Sequence, residues 1–484
     1  MALAGLFLAA AMTTGAARCE ALSRHAVEGG RVVAAEVLPA GDDHPAACRV
    51  RLELRPRPDA RIGVELWLPL DGWNGRFVQL GTGGFAGTIP TTGLAAEVRR
   101  GHAAAATDTG HVGVDGFDAR WASGAPERVA DYGYRSLEVS AVAAQALTAA
   151  FYGDRPRHRY FVGCSNGGRQ ALMVAQRYPD LFDGILAGAP VLRWSSQFAS
   201  FAWTQHVLRT APGGLIPKAK LKLIQDAAVA SCGPDAEVVD GVPANPRACG
   251  FRPETLQCMA GDGDPCLTAA EVRSLRAIIE GPRDAAGAPL AFGYEPTSAA
   301  APGGWDHWIV NPDRSAQTQL TFAEQVFGHV AQDRPGWRIE DFDADVDIAK
   351  ARALAPVLDA GETDLARFHA HGGKLVIYSG WADPVIAPNS ALDYYQRLAA
   401  QDDVRLFMIP AMLHCQGGEA PNAFGQAPVA PAAKPDPEHD IRRALEAWVE
   451  HARAPEAITA VKYVDDDPQR GVAAKRTIQA QPRR

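Results

Sequence analysis

An α/β fold is predicted by three features of the chain. Short apolar strands recur through its first half and again near its C-terminus, Ala/Leu/Val-rich stretches with helical spacing lie between them, and one strand runs through a glycine-flanked serine directly into a helix. The length of 484 residues is enough to bury one large core or two smaller ones. A hydrophobic fraction of 47% and a charged fraction of 21% are those of a globular protein and exclude disordered, collagen-like and fibrous classes. The net charge of -8 is spread along the chain with acids and bases mixed, which leaves no basic stripe for nucleic acid.

The elements follow in order. Leu3 to Met12 is a short apolar run followed by small residues up to Ala17, which predicts an export signal over residues 1–17, although no Lys or Arg precedes the run. A buried N-terminal helix is the competing reading; a lipid-anchored Cys19 is disfavoured because Arg18 stands where a small residue is wanted. The run is too short for a membrane span and no later one reaches about 18 residues, so no membrane association is expected and the mature chain is expected to be secreted or periplasmic.

Strands are predicted at Arg49–Leu54, Val64–Leu68 and Arg76–Leu80, separated by turn clusters such as Asp71-Gly-Trp-Asn-Gly75. The last leads into Gly81-Thr-Gly-Gly-Phe-Ala-Gly87, a glycine-rich stretch whose backbone N–H groups can approach an anion closely. It fits neither the dinucleotide nor the Walker pattern, so an oxyanion loop through Gly83 and Gly84 is expected rather than a nucleotide site. Ala103–Thr107 is another short strand, Tyr134–Tyr152 a helix, and Arg159–Val162 a strand that enters Gly163-Cys-Ser-Asn-Gly-Gly168. A helix over Arg169–Tyr178, stopped by Pro179, and a strand at Gly184–Ala187 follow.

Strand, sharp turn with serine, helix, strand is the arrangement of a nucleophile elbow. In Gly163-Cys164-Ser165-Asn166-Gly167 the serine sits in strained backbone, and its flanks must be small to pass the neighbouring strand and helix. An ordinary βα turn is the bland alternative. Against it stand two later loops at strand ends: Lys374–Tyr378 leads to Asp383, and Arg405–Ile409 leads to His414. The order Ser165, Asp383, His414 is that of the α/β hydrolases. Asp383 precedes a proline and could be a turn former only; His414 could be a structural loop histidine.

Eight cysteines fall into pairs along the chain: Cys19 with Cys48, Cys232 with Cys249, Cys258 with Cys266, and Cys164 with Cys415. Other connectivities are formally open, but the last pairing is the one demanded if Ser165 and His414 meet. Zinc is disfavoured because no Cys-x-x-Cys occurs and the Cys232–Cys266 cluster has no nearby histidine. Oxidised cysteines and an export signal support one another.

Between Ser165 and Asp383 lie far more residues than a few βα units of about 30 residues need. The surplus predicts a lid domain over residues 193–349, inserted between two parts of the core at 18–192 and 350–484. Trp305, Trp308 and Trp381 are candidate contacts to an aromatic substrate, with lid–core packing the alternative for the first two.

The motifs Gly163-Cys-Ser-Asn-Gly-Gly-Arg169, Gly380-Trp-Ala-Asp383-Pro and His414-Cys-Gln-Gly-Gly418 together resemble those of the tannase and feruloyl esterase family, which also includes the mono(2-hydroxyethyl) terephthalate hydrolases. The likeness runs from about Cys19 to the Trp448 region. It implies an α/β-hydrolase core with a lid, a disulfide beside the serine and histidine, and activity on esters of aromatic acids. Family lids usually carry a calcium loop of spaced aspartates after a cysteine. Here Gly233 and Ala236 stand where two of them are wanted; Asp240 remains, with Asp235 and Glu237 shifted, so no tightly bound calcium is expected.

The expected chemistry is serine ester hydrolysis of a small aromatic ester without an organic cofactor. Ser165 attacks, His414 serves as base, Asp383 orients it, and the N–H groups of Asn166 and of the Gly83-Gly84 loop hold the oxyanion. A peptidase or other acyl hydrolase would use the same residues. A non-catalytic binding module is the rival from another class, and a thiol hydrolase using Cys164 fails if that thiol is in a disulfide.

Overall fold

The computed structural model describes residues 14–259, 265–283, 287 and 289–483. The apolar run Leu3–Met12 expected to direct export lies outside the described residues. The first described helix, Gly15–Leu22, passes through the expected cleavage point near Ala17 and buries Cys19 and Leu22.

The strands, in chain order, are β1 (Ala26–Val27), β2 (Gly30–Leu38), β3 (Ala47–Leu54), β4 (Ile62–Pro69), β5 (Arg76–Leu80), β6 (Ala103–Thr107), β7 (His158–Cys164), β8 (Gly184–Gly188), β9 (Val238–Val239), β10 (Val242–Pro243), β11 (Lys374–Gly380), β12 (Val404–Ile409), β13 (Ala457–Tyr463) and β14 (Val472–Gln479). Ten of them form one sheet in the order β1-β2-β3-β4-β6-β5-β7-β8-β11-β12. Pairing is antiparallel from β1 to the β4–β6 contact and parallel from β6 to β12. Parallel neighbours require crossovers, and helices supply them. Thr91–Arg99 joins β5 to β6, Ser136–Tyr152 joins β6 to β7, Asn166–Arg177 joins β7 to β8, and Asn389–Arg397 joins β11 to β12.

Alternation along the strands divides the core into two layers. Phe77, Phe161, Ile185, Ile377 and Leu406 face helices Ser136–Tyr152 and Asn166–Arg177. Val78, Tyr160, Leu186, Val376 and Phe407 face helices Thr91–Arg99 and Ile441–His451. This three-layer arrangement, with the β5–β6 exchange of order, is the α/β-hydrolase fold. The expected strands and helices are present with ends shifted by a few residues; the N-terminal hairpin β1–β2 and the C-terminal hairpin β13–β14 were not foreseen.

Between β8 and β11 the chain is mainly helical, with helices Trp194–Thr210, Leu221–Ala230, Ala269–Glu280 and Gln319–Gln325. Their apolar faces form a separate cluster containing Phe198, Phe201, Leu275 and Phe327, which also takes in Phe85 after β5 and Val385 and Ile386 after β11. The segment therefore sits on the loops at the C-terminal ends of the parallel strands. Helix Ala344–Arg352, across the expected boundary at 349, packs on Trp194–Thr210.

Candidate active site

β7 ends at Cys164 and the helix begins at Asn166, which leaves Ser165 alone at the turn with φ 62° and ψ -124°. A non-glycine residue at positive φ is strained, and such strain persists only where the surroundings enforce it. Here they do so by close approach: a Cβ on Gly163 would lie 2.4 Å from the Gly167 carbonyl oxygen, and one on Gly168 2.3 Å from that of Gly188. The Ser165 amide donates to the Gly188 carbonyl at 3.0 Å, tying the turn to β8.

Asp383 follows β11 and is buried. Its Oδ1 accepts from the amides of Val385 (2.8 Å) and Ile386 (2.9 Å), so it does hold the turn that follows β11. Its Oδ2 accepts from His414 Nδ1 at 2.8 Å. One oxygen thus holds the turn and the other holds the histidine. The His414 side chain is 16% exposed and Asp383's is 0%, a buried carboxylate holding the ring of a histidine that remains accessible. Such a partner fixes the ring's orientation and tautomer. Cys164 and Cys415 form a disulfide with Cα atoms 6.0 Å apart, which brings the chain segments carrying Ser165 and His414 together.

The other three pairs, Cys19–Cys48, Cys232–Cys249 and Cys258–Cys266, are also disulfides, and no free cysteine remains among the described residues. Cys164 is therefore not a free thiol nucleophile, and no thiolate is left for zinc.

The glycine loop after β5 lies against the turn. Thr82 is held by Asn166 and Gln170: Asn166 Nδ2 donates to its carbonyl (2.9 Å), and its amide donates to Gln170 Oε1 (2.9 Å). Gly84 has φ 53°, and a Cβ there would lie 2.2 Å from the Gly116 carbonyl oxygen. The amides of Gly83, Gly84 and Asn166 have no protein acceptor among the described residues. Two further residues, Tyr132 and Arg169, complete this corner. Tyr132 Oη lies 3.0 Å from the Gly84 carbonyl and 2.9 Å from Asn166 Oδ1, and it accepts from Trp194 Nε1 at 3.2 Å. Arg169 is fully buried with no carboxylate in contact. Its Nε donates to Asn166 Oδ1 (2.7 Å), its terminal nitrogens donate to the carbonyls of Tyr132 and Gly133, and its guanidinium lies over the Tyr132 ring. Burial lowers its pKa, with the Tyr132 contact acting in the opposite direction. Arg169 stood in a recognisable motif, but Tyr132 lies in a stretch with nothing to mark it.

Of the three candidate tryptophans, Trp305 is 1% exposed within the inserted segment's core and Trp381 is buried in the sheet core. Trp308 is half-buried, with its ring centroid 6.4 Å from that of His414 in an edge-on arrangement. Phe117 and Phe322, both unmarked in the sequence, adjoin it with centroids at 6.3 and 6.4 Å.

Among the described residues the one group of three His, Cys, Asp or Glu side chains close enough to share an ion is Asp436, Glu438 and His439; Asp235, Glu237 and Asp240 do not converge. Ala236, between Cys232 and Cys249, is buried, and its carbonyl accepts from the Ala244 and Asn245 amides.

Residues 48–482 match the family described as tannase and feruloyl esterase. An uncharacterized esterase of Xanthomonas campestris is 39% identical over 90% of this chain and 81% of its own. A probable feruloyl esterase B-2 of Aspergillus flavus is 31% identical over 89% of this chain and 82% of its own. The crystal structure of feruloyl esterase B from Aspergillus oryzae superposes with a TM-score of 0.87 at 25% identity, covering 97% of this chain and 96% of that one. With the fold, the strained serine turn and the buried Asp–His pair in the same molecule, the chain belongs to the tannase and feruloyl esterase family and is a carboxylic ester hydrolase.

Proposed function

We propose that the protein hydrolyses esters of small aromatic acids through Ser165, His414 and Asp383. The observation that carries this reading is the 2.8 Å bond from His414 Nδ1 to a fully buried Asp383, on a loop covalently tied to the residue before Ser165. With Nδ1–H committed to Asp383, Nε2 is the nitrogen left to take the Ser165 proton. The serine oxygen then attacks the ester carbonyl, the alcohol leaves with a proton from His414, and water repeats the sequence on the acyl-enzyme. The negative oxygen of each tetrahedral intermediate is received by the amides of Asn166 and Gly83 or Gly84, which lack internal acceptors.

The aromatic preference rests on Trp308 beside His414, with Phe117 and Phe322 adjoining that tryptophan, and on the names of the relatives. Four disulfides suit an oxidising compartment, in keeping with export. No organic cofactor or calcium enters the mechanism; chelation with EGTA is expected to leave both activity and melting temperature unchanged. The test is turnover of methyl ferulate, methyl gallate, a terephthalate monoester and p-nitrophenyl alkanoates, with Ser165→Ala in parallel. Aromatic ester turnover that falls by about 10⁴-fold or more in the variant is expected. Activity confined to short alkanoates would retain the nucleophile and remove the aromatic assignment.

A further inference from the structure

The two arms of the oxyanion site come from different parts of the chain. One is the amide of Asn166, at the start of a helix whose position is set by β7; the other lies in the loop after β5. Their separation must be held to a few tenths of an ångström for both to donate to one oxygen. Glycines at 81 and 84 give that loop close approach to Gly167 and Gly116, but no stiffness of their own.

Stiffness is supplied from outside. Thr82 is gripped by the side chains of Asn166 and Gln170, on the far side of Gly83 from Gly84. Gly84 is gripped by Tyr132, whose hydroxyl is also within hydrogen-bond distance of the Asn166 side chain. Gly83 is thus bracketed by a bond from the Asn166 side chain on one side and, on the other, by a tyrosine hydroxyl that also reaches that side chain. The Tyr132 hydroxyl has one proton and two acceptors, Gly84 O and Asn166 Oδ1. Asn166 Oδ1 has two lone pairs, one for Arg169 Nε at 2.7 Å and one for the Tyr132 hydroxyl, whose single proton is shared with the Gly84 carbonyl and so joins the two arms. Trp194, the first residue of the first helix of the inserted segment, donates to the same hydroxyl and orients its lone pairs.

We propose that Tyr132 is a positioning residue for ester hydrolysis: its hydroxyl locks the Gly83-Gly84 arm of the oxyanion site to the Asn166 arm, and Trp194 extends that lock into the inserted segment. This deepens the function proposed above and rests on it. Tyr132 does not touch the reacting atoms; it fixes the distance between the groups that do.

Tyr132→Phe removes the hydroxyl and keeps the ring over Arg169. Loss of a whole oxyanion donor lowers kcat by on the order of 10²-fold or more, so misplacing one is expected to lower kcat by about 10-fold with KM little changed. Affinity for an aryl boronic acid, which presents a tetrahedral oxyanion to Ser165, is expected to fall in parallel with kcat/KM. Phe151→Leu, in the sheet core and outside the site, supplies a destabilised control that keeps its kcat. If Tyr132→Phe keeps kcat within about twofold, or loses activity only in proportion to a melting-temperature loss that Phe151→Leu reproduces, the positioning role is overturned. Failure of wild-type Ser165 to react with a fluorophosphonate would instead remove the proposed nucleophile, and the inference would fall with it.

Discussion

Asp383 carries two tasks on two oxygens, and they can be separated by substitution. Asp383→Asn preserves an oxygen for the Val385 and Ile386 amides and lets the amide nitrogen face His414. The imidazole then loses the acceptor that fixes its tautomer, and kcat is expected to fall by about 10⁴-fold while thermal unfolding changes little. Trp308→Ala should raise KM for aromatic acyl esters more than for p-nitrophenyl acetate, since the ring adjoins His414 without contacting it through a hydrogen bond. A second pair of residues sets a pH signature. Burial pushes the Asp108 carboxyl up to about 7 against the pull of the Gly110 and Gly63 amides, and burial pushes His111 down to about 4. Between the usual carboxylate pKa and 7 the folded state holds the Asp108 proton more tightly than the unfolded, so that contribution falls as pH rises. His111 is the reverse: the unfolded state binds its proton more tightly, and stability rises with pH from about 4 to its usual value. Asp108→Asn keeps an oxygen for both amides and removes the falling limb. Burial also pushes Asp131 up, to about 6, so its own falling limb remains, and urea unfolding of the variant is expected to show a smaller loss of stability than the wild type between about pH 4 and 7.

At the level of the element, the strand–turn–helix around Ser165 is the part most legible in the sequence. Its requirement for small flanks is a local steric matter that the pattern states directly, and the distances at Gly163 and Gly168 show why. Gly168→Ala is expected to destabilise the protein by about 1–3 kcal/mol or to prevent its folding, measured by denaturant unfolding or soluble yield. The inner strands were equally plain, because burial on both faces leaves near-continuous apolar runs such as Ala103–Thr107. β2 was not, because an outlying strand with Arg31, Glu36 and several alanines is only partly buried and shows no clean alternation. The helix after Ser165 was expected from Arg169, but it begins at Asn166, since the strained turn places the glycines inside its first turn. Tyr132 was invisible for a different reason: its role is created by two carbonyl and amide oxygens distant in sequence, and nothing in its own neighbours records that meeting.

For the whole molecule, the governing feature is that one sheet serves as a platform and the segment between β8 and β11 covers the loops at its C-terminal edge. The order of serine, aspartate and histidine along the chain was readable because each lies in the turn or loop that follows a strand of that edge; which aromatic side chains the covering segment turns toward His414 was not, because helices of that segment bury some tryptophans and leave others half-open by packing alone. The Cys164–Cys415 disulfide closes a separation of 251 residues across this arrangement. Replacing both cysteines by serine is expected to cost about 2–5 kcal/mol of stability and to lower kcat, checked by melting and by activity with the other three disulfides intact. The same bond also imposes a timetable on biosynthesis. At about 5–20 residues per second, Cys164 is made on the order of tens of seconds before Cys415, and Cys232, Cys249, Cys258 and Cys266 all appear in the interval. Cys164 meets its partner only after four other thiols have been made, so the yield of active protein in oxidative refolding is expected to rise when a disulfide isomerase is added.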